Sequence, residues 1–146
     1  MTAAGPAGRV PPGTRRCAEC GAPGRPRSCG DLFGGLLALD HPRQPPWGPL
    51  HGVAVACFGV QHPSRSPSAA RHLHWAMLHA YLRGGIPAVA SMTERARRLN
   101  ARQRGGRDPV PAGFPGAPPF PAGAPPSGYA TTIAGVALDG SFPAAG

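Results

Sequence analysis

Three cysteines near the start of the chain are the residues most clearly suited to chemistry. Cys17 and Cys20 belong to a Cys-Ala-Glu-Cys-Gly turn, and Cys29 lies directly before an apolar segment. A Cys-x-x-Cys-Gly turn is typical of structural zinc sites, because the short turn presents two thiolates to one face of a tetrahedral ion. Cys29 adds a third thiolate, and a histidine would complete the shell. The spacing therefore predicts a structural zinc site.

Two histidines of a predicted helix compete for the fourth position. His51 and His62 are eleven residues apart, which is about 16 Å along a helix that rises 1.5 Å per residue, so both cannot bind one ion. If segments 31–39 and 50–61 form an antiparallel helical hairpin, the start of the first lies beside the end of the second. Cys29 then lies near His62. The predicted metal ligands are Cys17, Cys20, Cys29 and His62, with His51 as the alternative fourth ligand.

The elements that must position these ligands are short helices. Apolar residues recur with helical spacing over 31–39 and 50–61, and the four prolines of 41–49 predict a loop between the two helices. A third helix is expected to start at Pro67 or Ser68 and to end at the Gly84-Gly85 pair, and a fourth is expected from Ser91 to about Arg104. The predicted fold is mostly α: a small helical bundle with an N-terminal zinc knuckle and long Gly/Pro-rich loops.

Composition divides the 146-residue chain into four parts, because its 22 glycines and 21 prolines are unevenly spread. Residues 1–16 are expected to be a flexible leader, and residues 17–104 a metal-knuckle helical domain. Residues 105–128 are predicted to be a disordered Gly/Pro-rich loop. Residues 129–146 are expected to be a C-terminal segment that docks on the bundle, and the β-branched and apolar run over 131–138 within it is expected to be a strand or the docking segment. A hydrophobic core as small as the one expected here usually needs additional stabilisation, for example by a bound metal.

The chain has a net charge of +9, and its strongly basic residues are all arginines, because it contains no lysine. The arginines are scattered, and no aromatic residues are interleaved with the group at 95–107, so a solvated basic helix is favoured over a nucleic-acid-binding module. No segment reaches the ~18 apolar residues of a membrane span, and the N-terminus lacks the apolar centre of a signal peptide. We therefore expect a cytoplasmic protein with reduced thiols and no membrane partner.

A metal-dependent enzyme is the main alternative to a structural site. It would use His51 with His72 or His79 to hold a metal with an open coordination position. The chain has few carboxylates near its core and no nucleophile elbow or P-loop, so no catalytic residue is predicted. Cys57 is predicted to be a small buried hydrophobe rather than a ligand. The favoured interpretation is a non-catalytic binding or regulatory accessory domain.

Several motifs together resemble one family. They are the Cys17–Ala22 knuckle, Cys29, the run Pro49–Phe58, the Gln61-His62-Pro63-Ser64 motif and the closing Thr132–Pro143 segment. In these motifs the chain is similar to an uncharacterised bacterial family known as domain of unknown function 5946. The resemblance implies a small helical protein and no established activity. Relatives continue beyond the position of Gly146 into an amphipathic helix, so we expect a protein partner to cover the corresponding apolar surface.

Overall fold

A computed structural model describes residues 16–23, 27–43, 45, 47–102 and 116–136. Residues 1–15, 24–26, 44, 46, 103–115 and 137–146 lie outside the described residues. They include most of the predicted leader, the first part of the predicted loop over 105–128 and the end of the C-terminal segment. The described part consists of helices and irregular segments and contains no strand. Its helices are α1 (Cys29–Asp40), α2 (Trp47–Gln61), α3 (Ser68–Arg102) and the single turn α4 (Ile133–Val136), with a 3-10 turn over Pro63–Arg65. The predicted mostly helical fold is confirmed.

Helix α1 begins at the third cysteine because Ser28 caps it. The Ser28 hydroxyl accepts a hydrogen bond from the Asp31 backbone N–H at 3.1 Å, and the Asp31 carboxylate accepts one from the Ser28 backbone N–H at 3.0 Å. This reciprocal capping box satisfies two backbone donors that a helix start leaves unpaired. The cap therefore fixes Cys29 as the first residue of α1.

Helices α1 and α2 form the antiparallel hairpin that the sequence predicted. At one end Asp40 accepts a hydrogen bond from His51 at 2.7 Å, and toward the other end Phe33 and Phe58 stack with ring centroids 4.0 Å apart. The first residue of α1 consequently lies beside the end of α2. The predicted loop over 41–49 is wrong at its end, because α2 begins at Trp47. Pro49 falls in the first turn of α2, where a missing backbone N–H removes no helical hydrogen bond.

Helix α3 packs against α2 and is broken where the sequence predicted. Gly85 has φ 62° and ψ −155°, a conformation that interrupts the helix and that glycine adopts without a Cβ clash. Helical structure resumes directly after this residue and continues to Arg102. The predicted start at Ser91 is therefore wrong by about one turn, because Pro87 occupies the early position that a helix tolerates.

The buried apolar residues form two clusters. The knuckle cluster consists of Cys20, Ala22, Leu32, Ile133 and Ala134, with Cys17, Cys29, Phe33, Leu36 and Tyr129 packed around it. The helix cluster joins α2 to both parts of α3 and consists of Ala56, Met77 and Val89, flanked by Val53, Leu78, Tyr81 and Met92. Among the described helices, none combines the length and apolar character needed to cross a bilayer.

Residues 116–128 have no regular secondary structure but lie along α3. Trp75 donates its indole N–H to the Pro118 carbonyl oxygen at 3.0 Å, and its ring contacts Phe120 edge to face at 5.7 Å. Arg83 donates to the carbonyl of Gly116. These contacts belong to the C-terminal half of the segment predicted as a disordered loop over 105–128. That prediction was made from composition, which carries no signal for contacts of this kind.

Candidate metal centre

Four side chains from separate parts of the chain meet at the open end of the α1–α2 hairpin. One possible ligand atom from each of Cys17, Cys20, Cys29 and His62 lies within 4.8 Å of all the others. The Sγ atoms of Cys20 and Cys29 are 3.7 Å apart, and all three thiols are free. Two sulfurs bound at ~2.3 Å to one tetrahedral ion would be ~3.8 Å apart, whereas a disulfide requires about 2.05 Å. The spacing matches shared coordination of a metal.

The turn that carries the first two cysteines is held by its own backbone. Gly21 donates to the Cys17 carbonyl at 2.9 Å, and Ala22 directs its N–H at the Cys20 sulfur at 3.4 Å. Gly21 has φ +75°, and a Cβ on it would lie 3.0 Å from the Cα of Gly128. Glycine is needed here both for the left-handed backbone and for the close approach of the C-terminal segment.

His62 enters the site with one ring nitrogen already engaged. Nδ1 donates to the carbonyl oxygen of Phe58 at 3.0 Å, and the ring stacks on that of Phe58 with centroids 4.1 Å apart. The side chain is 2% exposed, and its Nε2 is buried with no hydrogen-bond partner in the part of the chain that the structure describes. A histidine that binds a metal usually donates its other nitrogen to a carbonyl or carboxylate in this way. The residues present therefore fit a metal ion, with Nε2 as the donor of His62.

A carboxylate ties the knuckle to the segment that follows His62. Glu19, which lies between the first two cysteines, accepts hydrogen bonds from the Ser64 backbone N–H at 2.8 Å and the Ser64 hydroxyl at 2.9 Å. Burial opposes ionisation of Glu19, but these two bonds and the nearby charge of Arg65 lower its pKa. This pair of bonds fixes the distance between the cysteine turn and His62.

The three thiols experience different electrostatic surroundings. Burial opposes ionisation of Cys17, but hydrogen bonds from the backbone of Cys20 and Glu19 outweigh it and lower the pKa of Cys17. Burial, followed by hydrogen bonding to Cys20 and repulsion from its charge, raises the pKa of Cys29 to about 12. Burial likewise raises the pKa of Cys20. Clustered thiols oppose one another's ionisation, so a cation among them is what favours the thiolate forms.

The remaining candidates lie elsewhere. His51, the alternative fourth ligand, is bound to Asp40 at the opposite end of the hairpin. Within the described residues, neither His51 nor His72 nor His79 belongs to a group of three or more possible metal ligands. Cys57 lies outside the cluster as well, but it is exposed rather than buried as predicted. Cys57 lies between the buried Ala56 and Phe58 of α2, and apolar neighbours in the sequence do not reveal that it is the exposed one of the three.

Comparison with known proteins identifies the chain by family. The profile described as Family of unknown function (DUF5946) matches residues 15–146. The chain belongs to this family. The four clustered side chains all fall within the part that matches DUF5946. No curated protein and no solved structure matches the chain.

Three residues that support the metal cluster of this DUF5946 domain are not identified by the sequence alone. Glu19 lies inside the Cys-Ala-Glu-Cys motif, and this position is the one feature of the sequence that could have pointed to a role at the site. Phe58 precedes His62 by one helical turn, so the spacing places both residues on the same face of the helix. The spacing does not reveal that the carbonyl oxygen of Phe58 orients the imidazole ring of His62. Tyr129 donates its backbone N–H to the Cys20 carbonyl at 3.0 Å across a long loop. Nothing in the local pattern indicates that contact.

Proposed function

We propose that this DUF5946 protein is a small zinc-binding protein in which Cys17, Cys20, Cys29 and His62 hold a structural zinc ion. The observation that carries the proposal is the buried Nε2 of His62, which has no hydrogen-bond partner within the described residues and belongs to a group with three free thiols. A buried polar atom without a partner costs about 1–3 kcal/mol. Coordination of a metal removes that cost.

Zinc is favoured over other metals by the donor set. Three thiolates and one imidazole form one of the common tetrahedral shells of structural zinc, and softer sulfur donors disfavour magnesium and calcium. When bound, zinc supplies the positive charge that stabilises the thiolates. The chain itself orients the ligands. The Ser28 cap positions Cys29, and the Phe58 carbonyl positions the ring of His62. The hydrogen bonds between Glu19 and Ser64 join the cysteine turn to the segment that follows His62.

A non-catalytic role follows from the number of protein ligands. Catalytic zinc normally keeps one coordination position for water or substrate, whereas four protein donors close the shell. Two of the four ligands are also buried, with Cys20 at 0% and His62 at 2% exposure, and the other two are partly buried. We therefore assign the zinc to holding the fold, and the protein to a binding or regulatory accessory role in a reducing, cytoplasmic compartment.

Elemental analysis of the purified full-length protein tests the proposal. We expect about one equivalent of zinc, with iron, copper and nickel measured in the same sample. The Cys20→Ser variant should lose most of this zinc, because serine removes a thiolate donor. Cys57→Ser is the matched control, since Cys57 lies outside the cluster, and it should retain the wild-type content. Less than half an equivalent in the wild type, or equal loss in both variants, would contradict the proposal.

A further inference from the structure

A second feature lies between α3 and the irregular C-terminal segment, outside the metal cluster. It is a cavity of about 220 Å³ formed where residues 120–129 cross the end of α2 and the start of α3. Its walls include Val60, Arg71, Trp75, Phe120 and Tyr129. Pockets for drug-sized ligands usually have ~300–1,000 Å³. A ligand for this cavity is therefore small.

The aromatic walls of the cavity are fixed in place by hydrogen bonds to the backbone. Trp75 donates its indole N–H to Pro118, and Tyr129 donates its hydroxyl to the Val60 carbonyl at 3.3 Å. Phe120 contacts both Trp75 and His72. Because the polar hydrogens of Trp75 and Tyr129 are already used, these side chains offer the cavity mainly their ring surfaces. The walls are suited to a flat apolar group.

Arg71 gives the cavity its one charged group among the described lining residues. Its Nε is buried and has no hydrogen-bond partner among the described residues, and none of the described lining residues is a carboxylate. A guanidinium is always charged, and its planar donors match the two oxygens of a carboxylate. Buried side-chain donors are nearly always paired in folded proteins, so an unpaired one calls for an explanation. An anionic group on a ligand would provide the missing acceptor.

We propose that this cavity binds a small aromatic carboxylate. The carboxylate pairs with Arg71, and the ring lies against Trp75, Phe120 and Tyr129. The proposal is independent of the zinc site, because none of the metal-binding candidates lines the cavity. The protein would thus combine a structural metal with a binding site for a small organic acid.

Titration of the full-length protein with benzoate by calorimetry, at constant ionic strength, tests this assignment. We expect saturable one-site binding for the wild type and at least a tenfold weaker affinity for Arg71→Gln, because the variant loses a charge-assisted pair. Arg97→Gln is the matched control: Arg97 is largely exposed and pairs with Glu94 at 3.4 Å. Its affinity for benzoate should equal that of the wild type.

Two further measurements separate the proposal from its competitors. Benzamide, which has the same shape without the charge, should bind at least tenfold more weakly than benzoate, and inorganic phosphate should not compete. In Trp47→Phe, where Trp75 is the single remaining tryptophan, benzoate should still change the fluorescence. Circular dichroism establishes that each variant is folded, and Arg71→Met, which also removes the charge, replaces Arg71→Gln if the latter is not. Absent benzoate binding, equal benzamide binding or equal loss in Arg97→Gln would overturn the assignment.

Discussion

At the scale of single residues, His62 connects the helical hairpin to the metal cluster. Its Nδ1 is held by the Phe58 carbonyl and its ring by the Phe58 side chain, so the orientation of Nε2 is set before any metal binds. His51 has a different environment: its ring is half exposed and its Nδ1 is bound to the buried carboxylate of Asp40. One histidine is thus placed as a ligand, and the other closes the far end of the hairpin.

Replacing each histidine with glutamine should separate these two roles. His62→Gln should weaken zinc retention at least about tenfold, because loss of a direct ligand costs no less than the loss of an orienting partner, which typically costs ten- to hundredfold. His51→Gln should retain zinc with wild-type affinity. Competition with a chromophoric zinc chelator measures both. Equal retention by His62→Gln and the wild type would exclude His62 as the fourth ligand.

At the scale of elements, glycines show how closely the helices approach. A Cβ at Gly59 of α2 would overlap the imidazole of His74 on α3, so this position lets the two helices pack tightly. Gly34 of α1 is exposed, and a Cβ added there would meet no atom within 4 Å. Both positions are helical, and a helical glycine costs roughly 0.5–1 kcal/mol relative to alanine. The two sites therefore differ in packing and not in backbone preference.

Alanine substitutions at these two glycines should change stability in opposite directions. Gly34→Ala should raise the free energy of unfolding by about 0.5–1 kcal/mol, since only helix propensity changes. Gly59→Ala should lower it by about 1–3 kcal/mol, because the new methyl group displaces the His74 ring or the helix. Urea unfolding of the zinc-loaded variants measures both. If Gly59→Ala were as stable as Gly34→Ala, tight packing at this crossing would not be the reason for glycine.

The sequence specified the hairpin better than the segments around it. Cys29 and His62 could be placed side by side because helical periodicity and loop length together determine which helix ends meet. The start of α2 at Trp47 could not be predicted from the prolines alone, since a first-turn proline costs a helix nothing. The contacts of Trp75 with Pro118 and Phe120 were also missed, because Gly/Pro-rich segments have no periodicity that indicates a buried face. Such contacts depend on tertiary structure.

At the scale of the whole molecule, the two apolar clusters differ in how they are held together. The helix cluster lies between long helices, α2 and α3, and needs no contribution from the cysteines. The knuckle cluster gathers the cysteine turn, the start of α1 and the short helix α4, with Tyr129 packed against it and hydrogen bonded to Cys20. These are short segments with little helical stability of their own. A metal that joins the turn to α1 and to the residue after α2 would therefore stabilise the knuckle cluster far more than the helix cluster.

Removing the metal should consequently unfold one part of the molecule before the other. After chelation of the zinc-loaded protein, we expect amide hydrogen exchange to rise strongly at Ala22, Gly135 and Val136, whose backbone N–H groups depend on the knuckle and α4. Amides of α3 at Met77 and Ala80 should stay protected, because their helix packs on α2 through the helix cluster. Exchange measured by mass spectrometry before and after chelation checks this, with readdition of zinc as the control. Uniform loss of protection would mean that the two clusters unfold as one unit, and unchanged exchange at Ala22 would contradict a structural role for the metal.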